Sequence, residues 1–232
     1  MSLSDPESSP RRSELRPAGK RQKTGLPDFN EPTALVTFVV GPNSTEFLIH
    51  KEVVCLYSDI LRAAFNGNFT EGRTQTYRLE DTSEAAFRLF MQWLYCQKFT
   101  VLQTTPDDTN SLDGATEQAE DMALVELWIL ADKFGMPHLQ NAAINSMQAI
   151  CVDSIGLPVG TFRYLYENTG EDSLLRKYMV KLCVVSGFKG LFRRYSGFFP
   201  QEMLVDIAEE FTAEFRDADG AGIDIEDFYV ST

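Results

Sequence analysis

The side chains best suited to catalysis or metal binding are few in this chain and are not arranged for either. Its two histidines, His50 and His138, stand outside any HExxH or HxH pattern, so a metal would need ligands that the spacing does not supply. No GxSxG, GxGxxG or P-loop motif is present. We therefore expect no enzyme, no small-molecule substrate and no cofactor, and we expect His138 to be an exposed ring at the start of a helix.

The four cysteines are scattered and form no CxxC pair; they are Cys55, Cys96, Cys151 and Cys183. This usage is typical of free thiols in a reducing compartment. We predict neither a disulfide framework nor a structural zinc site.

The C-terminal segment Asp217–Phe228 is similar to the calcium-binding loop of an EF-hand. Such a loop needs oxygen ligands at its first, third, fifth and twelfth positions. Here Ala221 occupies the fifth position, the part after Gly222 is one residue short, and Asp227 stands in for the usual glutamate. A calcium site and a mobile acidic tail over residues 216–232 are both open, and the missing ligand favours the tail.

Composition and charge narrow the class of protein. Hydrophobic residues make up 44% of the 232 residues and charged residues 24%, as in ordinary globular proteins. A formal net charge of -13 disfavours binding to nucleic acid, because phosphate neutralisation needs clustered cations. The sequence has neither a long apolar run nor a signal-peptide pattern. We expect a protein of the cytoplasm, the nucleus or both, with no association with membranes.

Residues 1–26 are rich in Ser, Pro, Arg and Lys and poor in aromatic residues, so we predict a disordered basic tail. The tail contains two basic clusters, Arg11-Arg12 and Lys20-Arg21-Gln22-Lys23. They are either solvated charge or a nuclear import signal.

Hydrophobic periodicity predicts a strand hairpin, two short helices and a third strand. In chain order these elements are Leu35–Val40, Glu46–Ile49, Lys51–Tyr57, Asp59–Phe65 and Thr76–Leu79. Gly41-Pro42 ends the first strand, and Ser58 is expected to cap the second helix by accepting from its free amides.

Three amphipathic helices should follow, with apolar stripes from Phe87 to Tyr95, from Leu124 to Phe134 and from Leu139 to Ile150. Ser83 is the predicted N-cap of the first, and Gly135 should end the second in a left-handed conformation.

The polar, acidic stretch Thr104–Gln118 has no periodicity and is predicted to be a flexible insertion. Residues 158–215 should form a helical extension. Its last apolar stripe is expected at Leu204, Ile207, Ala208, Phe211 and Phe215.

The stretch His50–Phe65, HKEVVCLYSDILRAAF, resembles the HKxVLxxxSxxFxxxF signature of the BTB/POZ family. The resemblance runs from Val36 to Met147, and it implies an α+β fold in residues 34–150, a small sheet covered by a helix cluster, followed by an α-helical extension. It implies structural roles for His50, Lys51, Ser58 and Phe65, with the imidazole closing the hairpin onto the first helix. The layout looks most like the short BTB proteins of filamentous fungi.

The resemblance implies protein association rather than catalysis. BTB domains dimerise, and many also dock on a cullin scaffold as substrate adaptors of a ubiquitin ligase. Two features leave a homodimer open: no apolar helical stripe precedes the first strand, and Leu35 stands where the family has an aspartate. A scaffold or dimerisation protein without ligase activity, for example in transcriptional or signalling assembly, is the alternative.

Phe69-Thr70-Glu71 matches the hydrophobic-x-Glu motif that BTB adaptors use toward a cullin. Two interpretations of Phe69 are open. It projects as an interface anchor, with Glu71 as a hydrogen-bond acceptor, or it folds back onto the core while Glu71 is solvated.

Overall fold

Three short strands form one mixed sheet in the order β2-β1-β3. The computed structural model describes residues 25–105, 112–154, 156–186 and 190–216. Strand β1 (Leu35–Val40) pairs antiparallel with β2 (Thr45–His50) and parallel with β3 (Thr76–Leu79). The hairpin turns at Gly41, whose φ of +69° favours glycine. The predicted hairpin and third strand are confirmed, and β2 is one residue longer at each end.

Helices make up most of the rest of the described chain. Their bounds are α1 (Lys51–Tyr57), α2 (Asp59–Asn66), α3 (Thr70–Thr74), α4 (Glu84–Cys96), α5 (Gly114–Lys133), α6 (Pro137–Ser154), α7 (Phe162–Asn168), α8 (Leu174–Val185), α9 (Leu191–Arg194) and α10 (Gln201–Arg216). Over the ranges described, no helix is long and apolar enough to cross a membrane.

Phe38 on β1 is the centre of the first part of the core. Its buried ring lies 5.2 to 6.4 Å, centroid to centroid, from five other aromatic rings: Phe65, Tyr77, Phe87, Phe90 and Phe134. These rings come from α2, β3, α4 and the end of α5, so one side chain of the sheet contacts four other elements. The mostly tilted and edge-to-face geometries are those that aromatic pairs favour.

The helix ends follow the local signals in the sequence. Ala86 N donates to Ser83 Oγ at 3.2 Å, which confirms the cap of α4. Gly135 has a φ of +61°, and Met136 N donates to Ala131 O at 2.8 Å across the end of α5. This is the Schellman arrangement, which satisfies a carbonyl that the helix leaves without a partner.

The insertion predicted over Thr104–Gln118 is wrong at its C-terminal end, because Gly114–Gln118 are the first residues of α5. Asp113 caps that helix by accepting from Thr116 N at 2.7 Å. At the other end, Thr104 ends a short 3-10 turn that Glu120 holds by accepting from Leu102 N and Gln103 N. Residues 106–111 lie outside the described residues, as do residues 1–24 of the predicted basic tail and the EF-hand-like segment Asp217–Phe228.

The apolar stripe predicted for α10 is wrong at its start, because it was placed one residue too late along the chain. Met203 and Ile207 are buried, whereas Leu204 and Ala208 are exposed. Two acidic residues on this helix explain the rotation, since both accept hydrogen bonds from other helices of the extension. Tyr166 Oη donates to Asp206 at 2.6 Å, and Lys181 Nζ donates to Glu210 at 2.8 Å.

Arg176 on α8 is buried and joins α7, α8 and α10. Its guanidinium donates to the carbonyl oxygens of Tyr166 and Thr169, and its Nη1 lies 3.2 Å from a carboxylate oxygen of Glu202. The guanidinium carbon also lies 4.2 Å from the centroid of the Tyr166 ring. Arginine suits this place because its planar fork donates to several acceptors at once.

We predict that Arg176→Met lowers the free energy of unfolding by about 2 to 3 kcal/mol, because two backbone carbonyls lose their donor. The neighbouring Lys177→Met is the control. Its side chain is exposed and lies 3.7 Å from Asp172, and an exposed pair of this kind contributes at most about 1 kcal/mol. Urea denaturation of both variants tests this, and equal stabilities would contradict the role given to Arg176.

Candidate partner-binding site

Phe69 projects from the surface between α2 and α3. The side chain is 69% exposed, more than any other large aromatic among the described residues. Of the two interpretations left open by the sequence, folding back onto the core is therefore not what the structure has. Phe69 occupies the N-cap position of α3, with extended backbone angles (φ -70°, ψ 173°).

Two glycines make this presentation possible. A Cβ at Gly67 would lie 2.6 Å from Ala63 O, and one at Gly72 would lie 2.0 Å from Gly67 O. Both distances are too short for a side chain, so the α2–α3 connection folds tightly only with glycine at these positions. The end of α3 is fixed by Gln75, whose Nε2 donates to Phe65 O at 3.0 Å and to Gly72 O at 2.6 Å.

Glu71 is half-buried and borders a cleft of about 530 Å³ that begins directly after Phe69. The cleft is lined by residues of α3, β3 and the end of α5: Thr70, Glu71, Thr74, Thr76, Tyr77, Arg78 and Lys133. Burial and then the nearby charge of Glu71 raise the pKa of Tyr77, which keeps its hydroxyl as a hydrogen-bond donor. Lys133 Nζ lies 5.9 Å from the centroid of the Tyr77 ring. The cleft thus offers an acceptor, a phenol and two cations to a partner.

Cysteines and histidines of the described chain are the other candidates for chemistry. Burial raises the pKa of Cys151 to about 11 and that of Cys183 to about 12, so both are thiols at neutral pH. All four cysteines are free. His138 is exposed. Within the described ranges, no group of three or more His, Cys, Asp or Glu side chains is placed to hold a metal ion.

Ser58 holds two helix ends together. Its Oγ accepts from Leu61 N at 3.0 Å, which confirms the predicted cap of α2. The same hydroxyl donates to Phe134 O at 2.7 Å, at the end of α5 and 76 residues away. The side chain is fully buried. If it were removed, water could not replace it, and both partner groups would be left without a hydrogen bond.

The other residues of the signature also take structural places. Lys51 Nζ donates to Phe65 O at 3.0 Å and so supports the C-terminal end of α2, while the Phe65 ring is buried against Phe38. The imidazole of His50 was expected to close the hairpin onto the first helix, and the structure shows no capping bond from this side chain to α1. Instead its Nδ1 lies 2.8 Å from Tyr95 Oη, which also accepts from His50 N at 3.1 Å.

Sequence reasoning missed the partners of these residues. Tyr95 was expected to belong to an apolar stripe, but it is partly exposed and its hydroxyl binds His50. Lys133 and Tyr77 reach the cleft from distant parts of the chain, and no local pattern indicates this. The closely spaced Gly67 and Gly72 were the one local signal of a tight turn beneath Phe69.

We predict that Ser58→Ala lowers the free energy of unfolding by about 2 to 3 kcal/mol, because it removes a helix cap and leaves a buried carbonyl unpaired. Ser83→Ala is the matched control. Its side chain caps α4 only, so its expected loss is about 1 kcal/mol. Urea denaturation followed by circular dichroism measures both, and a smaller loss for Ser58→Ala than for Ser83→Ala would contradict the bridging role.

Comparison with known proteins agrees with the geometry. The family model described as "BTB/POZ domain" matches residues 29–150. Similar relatives include "BTB/POZ domain-containing protein 3" of Homo sapiens and the protein of the same name of Mus musculus, each 28% identical over 130 residues. The aligned region covers 55% of this chain and 21% of each relative. The chain therefore spans only a small part of the length of the curated relatives it matches.

The family match covers more than half of the chain, and it coincides with the sheet, the Ser58 bridge and the core around Phe38. Domains of this kind are protein–protein interaction modules and are generally not enzymes. From its residues 29–150, the chain belongs to the BTB/POZ family.

Proposed function

We propose that this protein is a substrate adaptor that docks on the cullin scaffold of a ubiquitin ligase through Phe69 and Glu71. The observation that carries the proposal is the exposure of Phe69, a large aromatic ring held outside the core. Exposing such a ring to water is unfavourable, and buried aromatic anchors dominate the energetics of protein interfaces. A partner that covers Phe69 would recover this free energy.

The surroundings of Phe69 support an anchor rather than a loose loop. Gly67 and Gly72 fix the backbone on either side, and Gln75 holds the end of α3 through two hydrogen bonds. A pre-organised anchor loses little conformational entropy on binding, which favours affinity. The cleft beside it supplies the polar contacts that usually surround an apolar anchor.

Charge gives the contact a direction. Glu71 can accept charge-assisted hydrogen bonds, whereas Arg78 and Lys133, which also line the cleft, attract acidic groups. The partner surface should therefore place a donor opposite Glu71 and an acceptor opposite Lys133. A client for degradation would bind elsewhere, on the helical extension, the acidic insertion or the tails.

We predict that Phe69→Ala weakens binding to a cullin N-terminal domain by at least about 2 kcal/mol, roughly thirtyfold in Kd. The melting temperature should change little, because the ring is largely outside the core. Phe198→Ala, which removes another exposed aromatic from the extension, is the control and should leave binding unchanged. Isothermal titration calorimetry measures the affinities. If the parent protein binds no cullin, or if Phe69→Ala binds as well as the parent, the adaptor function is wrong.

Replacement of Glu71 tests the polar part of the same contact. We expect Glu71→Ala to weaken the complex by about 1 to 3 kcal/mol, since a charge-assisted hydrogen bond is lost. Glu80→Ala is the control, because this exposed residue follows β3 and does not line the cleft. Calorimetry with the same cullin domain measures both, and an equal effect of the two variants would contradict a specific role for Glu71.

A second candidate function, assembly of copies of this chain without ligase activity, is favoured by one observation on the sheet. Leu35 and Leu48 lie on neighbouring strands, and both are exposed, Leu48 by 56%. Leu48 pairs with Thr37 and Leu35 with His50, so the two leucines lie on the same face of the hairpin. Two exposed leucines side by side on one face of a sheet suit self-association.

If copies assemble through that face, Leu48→Glu should shift the protein from dimer to monomer in sedimentation velocity, because it places a charge in an apolar contact. Ile60→Glu, at an exposed position on α2, is the control and should leave the mass unchanged. A parent protein that is monomeric at high concentration would exclude this second function. It would leave the adaptor proposal untouched.

A further inference from the structure

Helix α10 turns a wide uncharged face to solvent. With 100° between successive residues, an arc of about 120° over Gln201–Ala213 contains no charged residue. We call this face the outer arc, and its members, in order across it, are Phe211, Leu204, Ala208, Gln201, Thr212 and Val205. Leu204 and Val205 are 41% and 52% exposed, Ala208 is exposed and Phe211 is half-buried. An apolar stripe of this width normally faces a packing partner.

The outer arc is exposed because of the way α10 docks on the rest of the extension. Three acidic residues, one helical turn apart, each contact a side chain of α7 or α8: Glu202 lies 3.2 Å from Arg176 Nη1, Asp206 lies 2.6 Å from Tyr166 Oη, and Glu210 lies 2.8 Å from Lys181 Nζ. Beside this acidic stripe, Met203 and Ile207 are buried. The polar contacts thus fix the rotation of α10 and leave a part of its apolar surface outside.

The charges around the outer arc indicate what it can bind. The segment Gln201–Ala213 contains four acidic residues and no basic residue. Glu209 is exposed and the side chain of Glu202 is 52% exposed, and both border the outer arc beside Val205. A complementary surface therefore needs an apolar stripe with positive charge along its edge. An amphipathic helix with Lys or Arg beside its apolar stripe has this chemistry.

A second copy of this chain matches the outer arc less well. In a two-fold antiparallel helix pair, the border formed by Glu202 and Glu209 faces the same border of the other copy, which places like charges together. Each chain also carries a formal net charge of -13, which adds repulsion between copies. Both features instead favour a basic partner.

We propose that the outer arc binds a basic amphipathic helix of another protein. The apolar side chains of that helix lie against Leu204, Val205 and Ala208, and its Lys or Arg side chains lie beside Glu209. Ala208 is at the centre of the outer arc, where its small side chain lets a second helix approach closely. This inference does not rest on docking to a cullin, because Phe69 lies far along the chain, at the start of α3.

A synthetic helix of this chemistry, added to the full-length protein, provides the test. The fluorescently labelled peptide has about 18 residues, or five helical turns, with leucine at i, i+3, i+4 and i+7 spacing and lysine elsewhere. We expect saturable binding in fluorescence anisotropy. Ala208→Arg should raise the Kd by at least about tenfold, because it places a charge at the centre of an apolar contact.

Ala213→Arg is the matched control for this measurement. It adds the same charge at another exposed position of α10 that lies outside the outer arc, so the Kd should stay within about twofold of the parent value. A peptide that does not bind would overturn the proposal, and so would equal losses in the two variants, because attraction by charge alone would then explain the binding.

Two further peptides separate the apolar stripe from the sign of the charge. A peptide of the same composition with its leucines spread around the helix should bind at least about tenfold more weakly, as should a peptide with glutamate in place of lysine. Equal affinity of either would overturn the proposal. A parent dimer that Ala208→Arg separates in sedimentation velocity, while Ala213→Arg does not, would also overturn it by assigning the outer arc to a second copy. Both variants should bind the cullin domain as the parent does, so that failure of this proposal and failure of the adaptor function are distinguishable.

Discussion

The contact between the end of α5 and the start of α2 is the constraint on which the rest of the domain depends. Ser58 Oγ donates to Phe134 O while it caps α2, so one buried hydroxyl fixes two elements that are far apart in sequence. The Phe134 ring lies 6.4 Å from Phe38 in the centre of the core. Sheet, α2 and α5 are thereby placed relative to one another, and α3 with Phe69 follows directly from the position of α2.

Local signals predicted most of the elements because each depends on neighbouring residues. The caps at Ser58 and Ser83 and the left-handed end at Gly135 are decided within one helical turn. The start of α5 was placed too late, since the segment before it is polar and the cap at Asp113 carries no apolar signal. The phase of α10 was wrong because periodicity cannot tell which face finds acceptors and donors on α7 and α8.

The candidate site was predictable in composition but not in geometry. The motif named Phe69 and Glu71, yet three residues carry no information on whether the ring is buried. Exposure is decided by the backbone at Gly67 and Gly72, where any side chain would collide with a carbonyl oxygen. The cleft beside Glu71 includes Lys133, some sixty residues away, which reaches it only because α5 ends next to β3. Long-range placement of this kind is a property of the packed fold and leaves no local pattern.

Three consecutive residues at the end of α5 connect two surfaces of the protein to its core. Asp132 lines a groove between α5 and the loop that joins α7 to α8, Lys133 lines the cleft beside Glu71, and the carbonyl of Phe134 accepts from Ser58. Successive side chains of a helix point about 100° apart, so adjacent residues serve different faces. The hydrogen bond of Tyr164 Oη to Asp81 O, at 3.3 Å, adds a second link between the extension and the sheet-bearing part. The groove and the cleft are therefore both built in part on the end of α5.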